Sequence, residues 1–129
     1  MKAATLSAGA ALLLGAVACE KPDYIDRTRG AHLAACPHET IDNIVSGYLG
    51  PTQWVVYPTG DNDLSRVTAN GKAVIDDVST DVELEFLYRE STREAILLRV
   101  RYNDHDQMQP VADALIETMC EKSRKGAKY

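Results

Sequence analysis

The chain has 129 residues, a formal net charge of −5 and a sequence pI of about 5.1, with 45% hydrophobic and 26% charged residues. That length supports one packed domain and not two. The acidic balance argues against nucleic-acid binding, which needs a basic surface to displace counterions from phosphates.

The first segment reads as an address. Lys2 gives a positive start, Leu6 to Ala18 are uncharged, and Ala16-Val17-Ala18 ends the run in small residues before Cys19. This is the pattern of an export signal, and the apolar run is shorter than the roughly 20 residues a membrane-spanning helix requires. The segment Leu14-Gly15-Ala16-Val17-Ala18-Cys19 resembles the lipobox of bacterial lipoprotein precursors. The resemblance implies cleavage before Cys19, lipidation of its thiol with palmitate-type chains, and anchoring in the cell envelope. Glu20 after the cysteine implies the outer membrane in preference to the inner one. Ala16 stands where that family usually has Leu, and Ala-Val-Ala also satisfies the ordinary secretory pattern. A lipid-anchored product and a soluble periplasmic one both follow from these residues, and the resemblance extends no further into the chain.

Residues 1–18 are thus expected as signal peptide and 19–30 as a tether, since Pro22, Asp23, Asp26, Arg27 and Arg29 leave little apolar periodicity. A single α+β domain is expected over 31–122, followed by a basic tail over 123–129 that holds Arg124, Lys125 and Lys128. With Cys19 lipidated, Cys36 and Cys120 remain and are expected to pair in an oxidising compartment; the alternative is two buried thiols. The bridge would close a loop of about 84 residues, worth roughly 4 kcal/mol in the chain-entropy model.

Within the domain, Pro37 suits a first helical position, and Ile41, Ile44, Val45, Tyr48 and Leu49 line one helical face that Gly50-Pro51 ends. Trp54 to Tyr57 alternate as a strand, with Trp54 expected in the core at the helix–sheet junction. Leu64 to Ala69 read as a second strand. Asn70-Gly71 is a hairpin signal, so Lys72 to Ile75 are expected to return as a third. Val82, Leu84, Phe86 and Tyr88 then face Ile96, Leu98, Val100 and Tyr102 across a hairpin centred on Thr92. That register sets Phe86 opposite Leu98 and Leu84 opposite Val100, with Glu85 opposite Arg99 and Glu83 opposite Arg101 on the other face. Asp106 is expected to cap a last helix in which Met108, Val111, Ala112, Leu115, Ile116, Met119 and Cys120 share a face. The resulting fold class is α+β: an antiparallel sheet of three to five strands with an N-terminal and a C-terminal helix on one face.

Chemistry-bearing residues are few. His32, Cys36, His38 and His105 are candidate metal ligands, but no spacing among them matches a zinc pattern, and a Cys36–Cys120 bridge removes the thiolate. The acidic pairs Asp61 and Asp63, Asp76 and Asp77, and Asp104 and Asp106 sit in turns that favour Asp for its own backbone bonding. There is no nucleophile elbow, phosphate-binding glycine loop or dinucleotide fingerprint. We therefore expect no catalytic residue, metal or cofactor. The expectation is a small envelope domain that binds or inhibits another protein, possessing an acidic surface suited to a basic partner, with Glu83 and Glu85 as candidate contacts. The alternatives are an accessory subunit of an envelope complex, with Leu87 and Leu97 covered by a neighbour, and, third, a metal-dependent or hydrolytic enzyme.

Overall fold

A computed structural model describes residues 23–127, so the leader and Cys19 lie outside the described residues. The elements in chain order are α1 (Tyr24–Gly30), α2 (Ile41–Leu49), β1 (Gln53–Pro58), β2 (Leu64–Ile75), β3 (Val78–Arg89), β4 (Glu94–Tyr102), β5 (His105–Asp106) and α3 (Gln109–Ala127). The strands form one antiparallel meander, β1-β2-β3-β4-β5. The fold is α+β as expected, with one more helix than the periodicity indicated.

That extra helix replaces the expected tether. Asp23 caps α1 by accepting from the Asp26 amide at 3.1 Å, and Thr28 is fully buried. Polar contacts fasten α1 to the domain. Arg27 pairs with Glu90, Arg29 with Asp42 at 2.8 Å, and the Tyr24 hydroxyl donates to the Asn62 carbonyl at 3.1 Å. A helix held largely by ions and hydroxyls has no apolar stripe to betray it, which is why 24–30 looks like linker in sequence.

The second helix starts at Ile41 and not at Pro37. Thr40 is extended and its hydroxyl accepts from the Asn43 amide at 3.1 Å, supplying the cap; Pro37 to Glu39 form a turn before it. Ile41, Ile44, Val45 and Leu49 are buried, and Gly50, at φ 71°, ends the helix as its amide returns to the Ser46 carbonyl.

Asn70-Gly71 is no hairpin. β2 runs unbroken through it, with Asn70 opposite Glu83 and Gly71 opposite Val82, and the chain turns instead at Asp76-Asp77, both in the left-handed region (φ 52° and 66°). Gly71 serves close packing: a Cβ there would lie 2.9 Å from the Leu49 Cβ and 3.2 Å from the Pro51 carbonyl oxygen. The glycine lets the end of α2 rest on the sheet.

The β3–β4 pairing keeps Leu84 opposite Val100, Glu85 opposite Arg99 and Glu83 opposite Arg101, as expected. A bulge between Glu85 and Phe86 then shifts the register, and Phe86 meets Leu97 instead of Leu98. Ala95 and Leu97 turn toward the core, while Ile96 and Leu98 are left 54% and 45% exposed. The expected outer-face pair of Leu87 and Leu97 is thereby undone, and Leu87 has Ile96 as its cross-strand partner.

Asp106 is not a helix cap. It lies in β5, where Arg101 Nε donates to its carboxylate at 2.7 Å, and α3 opens from the Met108 carbonyl. Ala112, Leu115, Ile116, Met119 and Cys120 are buried as expected, whereas Met108 and Val111 are exposed. The expected tail is helical through Ala127, and the Ser123 hydroxyl donates to Glu39 at 2.9 Å. The Cys36–Cys120 bridge is present inside the core, joining the loop before α2 to α3 with Cα atoms 5.9 Å apart. Trp54 packs against that core, stacked on Phe86 at 6.3 Å, with the Arg29 guanidinium over its ring.

Two turns are clamped together by one side chain. Asp63 accepts from the Ser91 hydroxyl at 2.7 Å and the Ser91 amide at 2.8 Å, and pairs with Arg89. These contacts, the Ser91 hydroxyl first, hold the Asp63 carboxyl below its ordinary value of 3.8. A depressed folded-state value gives stability that is complete above about pH 4 and lost as pH falls through the lowered value. Chemical denaturation of Asp63→Asn at several pH values should show a lower midpoint at pH 7 and a shallower decline below about pH 4 than the parent. The two glycines offer a second test. Gly71→Ala should destabilise by roughly 1–3 kcal/mol through overpacking against Leu49. Gly47→Ala, in open space on α2, should stabilise by about 0.5–1 kcal/mol.

Candidate functional site

The uncovered face of the sheet carries the acids that the sequence nominated as partner contacts. Glu85 is not exposed: it is 4% accessible, opposite Thr68, with Arg66 at 3.1 Å from one carboxylate oxygen and Arg99 at 3.5 Å from the other. Arg66 also lies over the Tyr57 ring. Glu83 pairs with Arg101 at 3.5 Å, Arg101 pairs with Asp106, and Lys72 pairs with Asp81 at 2.6 Å. The Arg101 hydrogen bond is the main cause of a lowered Asp106 pKa and, reciprocally, of a raised Arg101 pKa. Each of the four carboxylates of this face has a cationic partner; Glu85 is buried by its pairing, while Glu83 stays half-buried.

The histidines do not converge. His32, His38 and His105 are exposed, and His32 Nδ1 lies 2.9 Å from the Glu39 carbonyl oxygen. Cys36 is bonded to Cys120 and has no thiolate to offer. Among the described residues, no group of three or more His, Cys, Asp or Glu stands together in a metal-binding arrangement. The paired aspartates do local work: Asp61 accepts from the Asp63 amide, and Asp76-Asp77 and Asn103-Asp104 form left-handed turns.

The uncovered face has a concavity of about 330 Å³ where Lys72, Asp81, Glu83 and Arg101 meet, and a roomier, more apolar one lies elsewhere. A cleft of about 540 Å³ runs between α3, the Leu33-Ala34-Ala35 loop and β4. Its apolar lining is Leu33, Leu97, Ile116 and the Cys120 end of the disulfide, with Ile96 at its border. Gln109, Asp113 and Glu117 follow one another at helical spacing along one rim, and Arg124 stands at the far end of α3. Gln109 donates to Asp113 at 2.7 Å. Among the described residues, neither Asp113 nor Glu117 is in an ion pair.

Ile96 and Leu97 point to opposite faces of a strand, yet both border this cleft, so it follows the strand's edge and not a face. That edge is open. β5 pairs only with Arg101 and Tyr102, and no other described strand lies beyond Glu94 to Arg99. Sequence reasoning missed the cleft because it assigned Ile96 and Leu98 inward and Leu97 outward. The available signal was the unbroken apolar run Ala95-Ile96-Leu97-Leu98, where a strand with one solvated face would alternate.

No protein-family model, curated protein sequence or solved structure matches the chain. The site is therefore read from its own residues. Among the described residues no helix is long and apolar enough to cross a membrane.

Reversing a buried, doubly paired carboxylate exposes the role of the uncovered face. Glu85→Arg should lower stability by about 2 kcal/mol, a value discounted because both arginines are partly solvated. Glu83→Arg, at the more open pair, should cost less than about 1 kcal/mol. Thermal or urea denaturation of the two variants measures the difference, and equal, negligible losses would contradict the structural role of Glu85.

Proposed function

We propose that the mature chain is an exported domain of the bacterial cell envelope, lipid-anchored through Cys19, that works by binding another protein at the α3–β4 cleft. The observation that carries the reading is the apolar cleft along an unpaired strand edge. A sheet edge with exposed Ile96 and Leu98 is a liability in a free monomer and an asset in a domain that receives a partner. The disulfide supports the compartment, because bridges between cysteines persist where the surroundings are oxidising. The lipobox-like residues Ala16-Val17-Ala18-Cys19 support the anchor.

The partner in this reading is a protein with basic residues at its contact surface. The support is the net charge of −5 together with Asp113 and Glu117 on the cleft rim. The acids of the uncovered face, Glu83 and Glu85, take no direct part because their charges are engaged by arginine. An inhibitor or immunity-type domain and an accessory subunit differ in whether the cleft is filled transiently or permanently.

Photo-crosslinking in intact cells tests the reading. A photoreactive residue at Ile96 should give one discrete protein adduct, and the same residue at Lys72, on the same face but two strands away from the β4 edge, should give none. Loss of the adduct when cells are broken into high salt favours a transient, charge-steered partner; an adduct that survives detergent extraction favours a subunit. Absence of any adduct at Ile96, or equal labelling at Lys72, refutes the assigned surface. In parallel, Cys19→Ser should abolish palmitate labelling and membrane association; labelling that persists in that variant refutes the anchor.

A further inference from the structure

Three features of the cleft limit what fits it. The first is the strand edge itself. Glu94 to Arg99 present main-chain groups that no described strand pairs with, and such an unpaired edge is a template for another chain. A globular protrusion or an apolar helix would cover that edge without bonding to it, whereas an extended chain would pair with it along its length.

The second feature is the shape of the lining. Leu33, Leu97 and Ile116 form the floor on the core side of the edge, while Ile96 and Leu98 stand on the opposite side. A strand laid beside β4 directs successive side chains alternately to these two sides, so both apolar surfaces would be covered by one extended segment.

The third is the distribution of charge. Glu117 lies about two helical turns, roughly 10 Å, from Arg124 along α3, and Asp113, toward the opposite end of the cleft, lies about three turns, roughly 16 Å, from it. An extended chain covers that distance in about five residues. The unpaired stretch of β4 has a similar length. The ends of the cleft thus differ in sign over the length of a short strand, which orients an incoming segment and selects its terminal side chains.

Resting on the protein-binding reading above, we infer that the cleft receives an extended segment of the partner, which adds to β4 as a further strand. Its cationic side chain lies by Asp113 and Glu117, its apolar side chains cover Leu97 and Ile116, and its acidic group lies by Arg124. The main-chain pairing supplies adhesion and the two ends supply direction.

The test uses the full mature chain in detergent and a displayed library of random heptapeptides. Selected peptides should carry Lys or Arg toward one end, an acid toward the other, and apolar residues between them. Glu117→Lys should weaken their binding by about tenfold or more, and exchanging the peptide's cation for Glu should restore binding to that variant. Hydrogen exchange should slow at the Glu94–Arg99 amides when peptide binds. Protection confined to α3 would mean a helical occupant and overturn the strand. A chain that sediments as a dimer with those amides already protected would assign the edge to a second copy and overturn it equally. If no peptide is selected while the Ile96 crosslink still captures a protein, strand addition falls and protein binding stands. If the crosslink fails as well, both fall.

Discussion

α3 packs chiefly on α2, and its firmest tie to the remainder of the fold is covalent, the bond from Cys120 to Cys36 in the loop before α2. This arrangement creates the cleft. A helix docked flat on the sheet would close the space beside β4, whereas one leaning on α2 and fastened at Cys120 leaves Leu97 and Ile116 facing a gap. The bridge encloses 84 positions of sequence, so in the chain-entropy model it removes roughly 4 kcal/mol of freedom from the unfolded state. Compartment and site are thereby linked: in a reducing environment the same two residues would be buried thiols, and the helical wall of the cleft would lose its fastening.

The bulge between Glu85 and Phe86 is the second determinant. On one side of it, Glu85 opposes Arg99 and Glu83 opposes Arg101, so the ion pairs hold the uncovered face in register. On the other side, the inserted residue changes which of Ile96, Leu97 and Leu98 reaches the core. One irregularity therefore serves two faces at once. It lets a charge ladder persist where the sheet meets solvent, and it releases two aliphatic side chains to the edge.

What was legible in the sequence follows from the kind of signal involved. The fold class, the faces of α2 and α3, the disulfide and the register at Leu84 and Val100 rest on apolar periodicity or cysteine count, which are local and repeated. The misreadings rest on particular side-chain contacts that neither periodicity nor composition encodes. Asn70-Gly71 has the composition of a turn, but Gly71 is there because Leu49 and Pro51 come too close for a Cβ. α1 lacks a stripe because Arg27, Arg29 and Tyr24 bind through polar atoms to Glu90, Asp42 and Asn62. Asp106 sits where a helix cap belongs, but Arg101 takes its carboxylate into the sheet. The nominated acids Glu83 and Glu85 were placed on the correct face and opposite the correct arginines; that same pairing buries Glu85 and engages the half-buried Glu83.

The two edges of the sheet sharpen the functional argument. β1 is six residues long and ends at Pro58, a residue unable to donate to an added strand, and Arg29 stacks over its tryptophan. These are ordinary protections of an edge against unwanted pairing. Both edges expose apolar side chains, Val56 and Tyr57 on β1 and Ile96 and Leu98 on β4, but β4 lacks a proline and has an apolar cleft beside it. Negative charge on the adjoining helix, at Asp113 and Glu117, does not protect against basic chains as it does against acidic ones. In the proposed reading, an edge flanked by carboxylates, with an apolar floor beneath it, would discriminate among strands by charge instead of refusing them all. That asymmetry between β1 and β4 is why binding, and binding by an extended segment, is assigned to one side of this sheet.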